Sequence, residues 1–87
     1  MENYLLLFKS LTSAQRAERL LNQKGIRTKI TRVPGEIPTN GCTYCIKILP
    51  VDLSNALKTL NRYESSPTKI FAWYGSGRYS RYNDGIS

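Results

Sequence analysis

Five apolar or aromatic residues in unbroken succession, Tyr4-Leu5-Leu6-Leu7-Phe8, open the chain's pattern. A run that short, without polar alternation, predicts a strand covered on both faces and so an interior position in a sheet. Thr12-Ser13-Ala14-Gln15 has the form of a capping box, in which the Thr12 hydroxyl and the Gln15 side chain serve amide donors at a helix start. Behind it Ala14, Ala17, Leu20 and Leu21 recur at three- and four-residue steps, opposite Arg16, Glu18, Arg19 and Gln23. Gly25 then stands where a left-handed C-cap ends the helix.

Ile26 to Val33 is rich in β-branched residues and predicts a returning strand that Pro34 interrupts. Pro34-Gly35-Glu36-Ile37-Pro38-Thr39-Asn40-Gly41 collects turn formers and reads as an exposed connection ending at Cys42. From Tyr44 to Leu49 strict alternation resumes, with Tyr44, Ile46 and Ile48 on one face and Cys45 and Lys47 on the other. Pro50 stops that strand, and Leu53, Ala56, Leu57 and Leu60 mark the buried stripe of a second helix reaching Tyr63. Ser65-Ser66-Pro67 breaks it, and Lys69 to Tyr74 supplies a last aromatic strand. Beyond it, Gly75-Ser76-Gly77 opens a segment with neither period.

The order strand, helix, strand, strand, helix, strand is the split βαβ pattern of the ferredoxin-like α+β class. Right-handed crossovers put both helices on one face of a four-stranded antiparallel sheet and leave the other face free for a partner or a second copy. Residues 1–74 are read as that single domain and residues 75–87 as a flexible basic and aromatic tail.

At 87 residues the chain has room for one core and no deep catalytic cleft. A homodimer is allowed, since a small domain gains stability by covering surface. Thirteen Lys and Arg against six Asp and Glu give a net charge of +7, which concentrates anions such as nucleic acid, phosphate metabolites or acidic proteins without choosing among them, and a binding module for nucleic acid or an acidic protein partner is the alternative this surface offers. No stretch approaches the ~20 apolar residues of a membrane span, and the N-terminus lacks the basic start of an export signal. A cytoplasmic protein with two reduced thiols is expected. With no His, no paired carboxylates and no phosphate-binding Gly loop, general acid-base catalysis has no residues to use. A carrier or binding protein is expected more than a stand-alone enzyme, with no cofactor and no metal.

Chemistry concentrates at Cys42-Thr43-Tyr44-Cys45, open to three readings: a redox pair, half a metal site, or one functional thiol beside a packing cysteine. Extended backbone separates the two Cα atoms by about 10 Å and points the side chains oppositely, beyond the roughly 7 Å a disulfide tolerates. Two thiols without His fill only half of a zinc tetrahedron. Cys45 reads as a small buried hydrophobe. Cys42, after the Gly-rich bend of a basic chain, reads as an accessible thiol inclined to ionise, with an incidental loop cysteine as the alternative. Separately, Arg78, Tyr79, Arg81 and Tyr82 interleave guanidinium groups with rings, the chemistry that stacks on single-stranded bases and grips phosphates.

Val33-Pro34-Gly35-Glu36-Ile37 and Gly41-Cys42-Thr43-Tyr44-Cys45-Ile46-Lys47-Ile48 resemble a small bacterial family of selenium/sulfur (Se/S) carrier protein-like sequences. Tyr4 to Ser10 and Ala17 to Leu21 look like it too, so the similarity spans roughly residues 4 to 74. Cys42 matches the family's cysteine, whereas Gly35, Pro38 and Thr43 depart from its usual Arg, Ser and Gly. The resemblance implies a thiol that holds sulfur or selenium as a persulfide or selenosulfide for a protein partner acting as donor or acceptor. Cys42 would then be the acceptor, with Cys45, Lys47 and the amides around Gly41 in support and Glu36 ordering the loop.

Overall fold

In the computed structural model, which describes residues 3–39, 41–75 and 77–82, β1 (Asn3–Phe8) lies in the middle of an antiparallel sheet. It pairs with β3 (Tyr44–Ile48) on one side and β4 (Lys69–Gly75) on the other. Leu5, Leu6 and Leu7 are all fully buried, which is why this strand carries no polar alternation. β2 (Lys29–Arg32) pairs with the outer side of β3, and β5 (Arg78–Arg81) with the outer side of β4, giving the order β2-β3-β1-β4-β5.

The first four strands follow the split βαβ arrangement, but the sheet has five strands where four were expected. The additional one comes from the segment read as a tail. Its four residues are all exposed, so no apolar alternation announced it, and its placement rests on the ladder to Phe71, Ala72 and Trp73. The Tyr82 amide extends that ladder by donating to the Ile70 carbonyl at 2.9 Å. Ser76 and residues 83–87 of the expected tail lie outside the described residues.

Helix α1 (Leu11–Gln23) begins earlier than the capping box suggested. Ser10, in extended conformation, is the N-cap, and its hydroxyl accepts the Ser13 N–H at 3.1 Å. Thr12 and Gln15 therefore stand inside the first turns. At the other end Gly25, with φ 79°, donates to Asn22 O, and Ile26 donates to Leu21 O, both at 3.0 Å. These two bonds form a Schellman motif, and Ile26 and Leu21 bury their side chains in the same cluster. A 3₁₀ turn at Pro50–Asp52 leads into α2 (Leu53–Arg62).

Two clusters sandwich the sheet. On the helix side, Leu6, Phe8, Ile46 and Ile48 pack against Ala14, Ala17 and Leu21 of α1 and Leu53, Ala56 and Leu60 of α2. On the opposite side, Leu5, Leu7, Cys45 and Phe71 are buried with Ile37 and Cys42. That second face was expected to be free. It is covered instead by the chain's own β2–β3 loop, because a row of fully apolar strand residues left in water would forgo roughly 25 cal/mol for each Å² it can bury.

Candidate functional site

The loop between β2 and β3 is anchored at its base, where the Val33 N–H donates to Thr43 O at 3.1 Å and prolongs the ladder. Within it, the Ile37 N–H donates to Pro34 O at 3.0 Å, closing a turn that aims the Ile37 side chain at the sheet. The Cys42 N–H donates to Thr39 O at 3.0 Å, and the adjacent Gly41 holds φ 96°, a conformation that favours glycine. The loop reaches the far corner of the sheet: Glu36 Oε2 lies 3.5 Å from where a Cβ on Gly77 would stand.

This arrangement places Cys42 differently from the sequence reading. The thiol is not accessible: Cys42 is 3% exposed, enclosed among apolar residues of β1, β3, β4 and the loop. Nor do the two cysteines face apart. Opposite faces require extended backbone from 42 to 45, but Cys42 precedes β3 and is turned by its bond to Thr39, so both residues enter one apolar cluster. Both are free cysteines.

Cys45 is fully buried, and its thiol lies 4.0 Å from the Arg32 carbonyl, a contact in keeping with a weak S–H donor. Burial pushes its pKa from 9.0 up to about 11, against a smaller opposing pull from the Lys47 ammonium. At neutral pH it is a protonated packing group.

The other sequence-derived residues divide. Lys47, two residues along β3 from Cys45, shares its face. Gly41 is exposed beside Cys42, whereas Glu36 stands exposed at the opposite end of the loop, against Gly77. Of the aromatic and basic set, Tyr79 pairs with Trp73 and Arg81 with Phe71, which puts both on the loop face. The Tyr79 ring meets Phe71 edge-on at 5.7 Å. Tyr82 goes to the helix side, where its ring meets Tyr4 at 5.6 Å. The rings of this segment thus serve opposite faces and do not form one stacking strip.

Ile37, Phe71 and Trp73, which build the enclosure around Cys42, were not singled out as site residues. The one signal available for Ile37 was a large apolar side chain stranded among turn formers. A groove of about 750 Å³ between α2 and β4, lined in part by Leu57, Ile70 and Tyr82, lies on the other side of the sheet and holds neither cysteine. Among the described residues no three His, Cys, Asp or Glu side chains converge, and no helix is long and apolar enough to cross a membrane.

A split βαβ sheet extended by one strand, with two free cysteines packed beneath a loop on its helix-free face, defines a small thiol-bearing α+β protein. The family model described as "Putative Se/S carrier protein-like" matches residues 3–72, and the chain belongs to that family. The matched region includes the four strands and two helices of the split βαβ unit up to Ala72, the loop and both cysteines, and stops short of β5. No curated protein and no solved structure matches the chain.

Proposed function

We propose that this protein is a sulfur or selenium carrier in which Cys42 holds the chalcogen. The observation that supports this most is where Cys42 lies: it and Ile37 are buried in one cluster against the sheet, and both are carried by a loop without helix or strand. Such a loop can lift without breaking the sheet, so the thiol is stored away from water and becomes available by a local movement. Cys45, held in β3 between β1 and β2, has no comparable route out.

The transfer needs no acid-base machinery. The Cys42 thiolate attacks the terminal sulfur of a donor persulfide; the donor's S–S bond breaks, a Cys42 S–S bond forms, and the donor sulfur leaves as a thiolate. Attack by an acceptor thiolate on the Cys42-bound sulfur reverses the exchange and frees Cys42. A selenium atom in the terminal position follows the same balance. Donor and acceptor are protein partners in this reading, and the reducing cytoplasm keeps both thiols free.

The test is intact-mass measurement after incubating the reduced protein with a small-molecule persulfide. One added sulfur on the parent and on Cys45→Ser, absent from Cys42→Ser, is expected. An adduct that survives Cys42→Ser removes Cys42 from this role, and no adduct on the parent removes the carrier reading.

A further inference from the structure

We infer that the loop face of the sheet is a docking surface for an acid-rimmed partner protein. The inference deepens the carrier reading and rests on it for the partner's task, though not for the binding itself.

Strand register places Lys29, Lys47, Leu5, Phe71 and Arg81 side by side in one row across all five strands. In the neighbouring row Lys69 stands beside Leu7, which in turn faces Cys45. Four cations therefore surround the apolar plug formed by Ile37, Leu5, Leu7, Phe71 and the cysteines. Lys29 and Arg81 are exposed, and Lys47 and Lys69 are half-buried. From β2 to β5 the row spans about 19 Å, four strand spacings, which fits within the roughly 800 Å² that each side of an ordinary protein interface contributes.

Two features separate this patch from a merely soluble surface. Lys29 and Lys47 are directly opposed across an antiparallel pair, a placement that destabilises the sheet. Among the described residues none of the four cations has a carboxylate partner, and Glu36 is the one acidic residue carried on this face. Glu18 lies on α1, while Asp52 and Glu64 flank α2. A local cost with no internal compensation marks a surface kept for something outside the molecule.

The plug decides which kind of anion fits. A single nucleic-acid strand crossing such a sheet needs several exposed rings along its path, but on this face Phe71 is buried, Trp73 is half-buried and the exposed Tyr79 stands on the outermost strand, edge-on to Phe71. Positive charge flanking the loop that covers this buried centre instead complements a protein surface with an acidic rim, and it would bring that rim against the segment packed with Cys42.

The experiment follows backbone amide signals by NMR while the full chain is titrated, at low ionic strength, with a short poly-glutamate peptide and separately with an oligo-uridine of matched charge. Two triple variants carry the same net charge: K29Q/K69Q/R81Q on the loop face and R16Q/R19Q/K58Q on the helices. Circular dichroism verifies that both are folded, and Lys47 is left in place so that any thiolate role is untouched. The expected result is that the peptide shifts signals on the loop face and that the first variant binds it roughly tenfold more weakly, the sum of three surface ion pairs, while the second does not. Equal weakening in both variants, no binding to the parent, or tighter binding of oligo-uridine on this face each overturns the proposal. Because no persulfide is present, the outcome is independent of whether Cys42 accepts sulfur.

Discussion

Replacing Ile37 by alanine tests whether the loop is the barrier that encloses Cys42. Ile37 is 2% exposed and closes the cluster over the sheet. Removing its outer carbons from so buried a position costs about 2–3 kcal/mol, at the low end for such truncations because a surface loop relaxes around the gap. In the open state Ile37 lies in water, so the truncation weakens the closed state alone. The equilibrium constant for opening then rises roughly 30- to 140-fold, at tenfold per 1.4 kcal/mol. If reclosing is fast, the labelling rate of Cys42 by a thiol reagent is the opening constant multiplied by the rate for a free thiol, and rises by the same factor until it meets that ceiling.

Mass spectrometry after proteolysis reports Cys42 and Cys45 separately in one sample. In the parent, Cys42 should label faster than Cys45 and with little dependence on urea, since a loop opening exposes little surface. Cys45 is bonded into β3 between β1 and β2 and should label only on global unfolding, with the full urea dependence. Ile37→Ala also lowers global stability, so the Cys45 rate should climb by a similar factor from its lower starting point. Equal rates and equal urea dependence for both cysteines in the parent would refute a separate opening. An Ile37→Ala variant whose Cys42 rate stays within about threefold of the parent would refute Ile37 as the barrier.

Two further outcomes concern stability. The Cys45 thiol titrates at about 11 in the fold against 9.0 when unperturbed, so the folded state favours the protonated form. That contribution is complete below pH 9.0, is lost as pH rises toward about 11, and amounts to about 2–3 kcal/mol over the interval. Urea melts across this range, with Cys45→Ala subtracted to remove the titration of Lys and Tyr, should show the loss in the parent alone. Ser10→Ala should destabilise by about 1 kcal/mol through loss of the helix cap, whereas Thr12→Ala should change stability by no more than about 0.5 kcal/mol. The reverse order in urea denaturation would return the cap to Thr12.

What could be read from the chain was whatever repeats within one element. Tyr4 to Phe8 announced a central strand because a strand flanked on both edges and covered on both faces has no polar position to offer. The stripes of α1 and α2, the left-handed Gly25 and the alternation of β3 were equally local, and together they imposed the split βαβ order. The chemistry was also visible in outline: no His and a pair of cysteines after a Pro/Gly loop leave thiol chemistry as the main resource.

The tertiary structure decided where those thiols sit and what surrounds them. Ile37 is a lone apolar residue among turn formers, with no periodic partner in the sequence, and its burial depends on an apolar sheet face that only the assembled strands create. Cys42 and Cys45 share a cluster because the backbone leaves strand geometry just before Tyr44, a departure set by the bond from Cys42 to Thr39. Lys29 and Lys47 lie 18 positions apart in the numbering and become neighbours through register alone. Arg78 to Arg81 forms a strand because β4 presents an unpaired edge, not because its own residues alternate. Sequence pattern specifies an element's inward face; the partner that covers that face, and the charges gathered around it, follow from contacts between segments that carry no mutual signal until they meet.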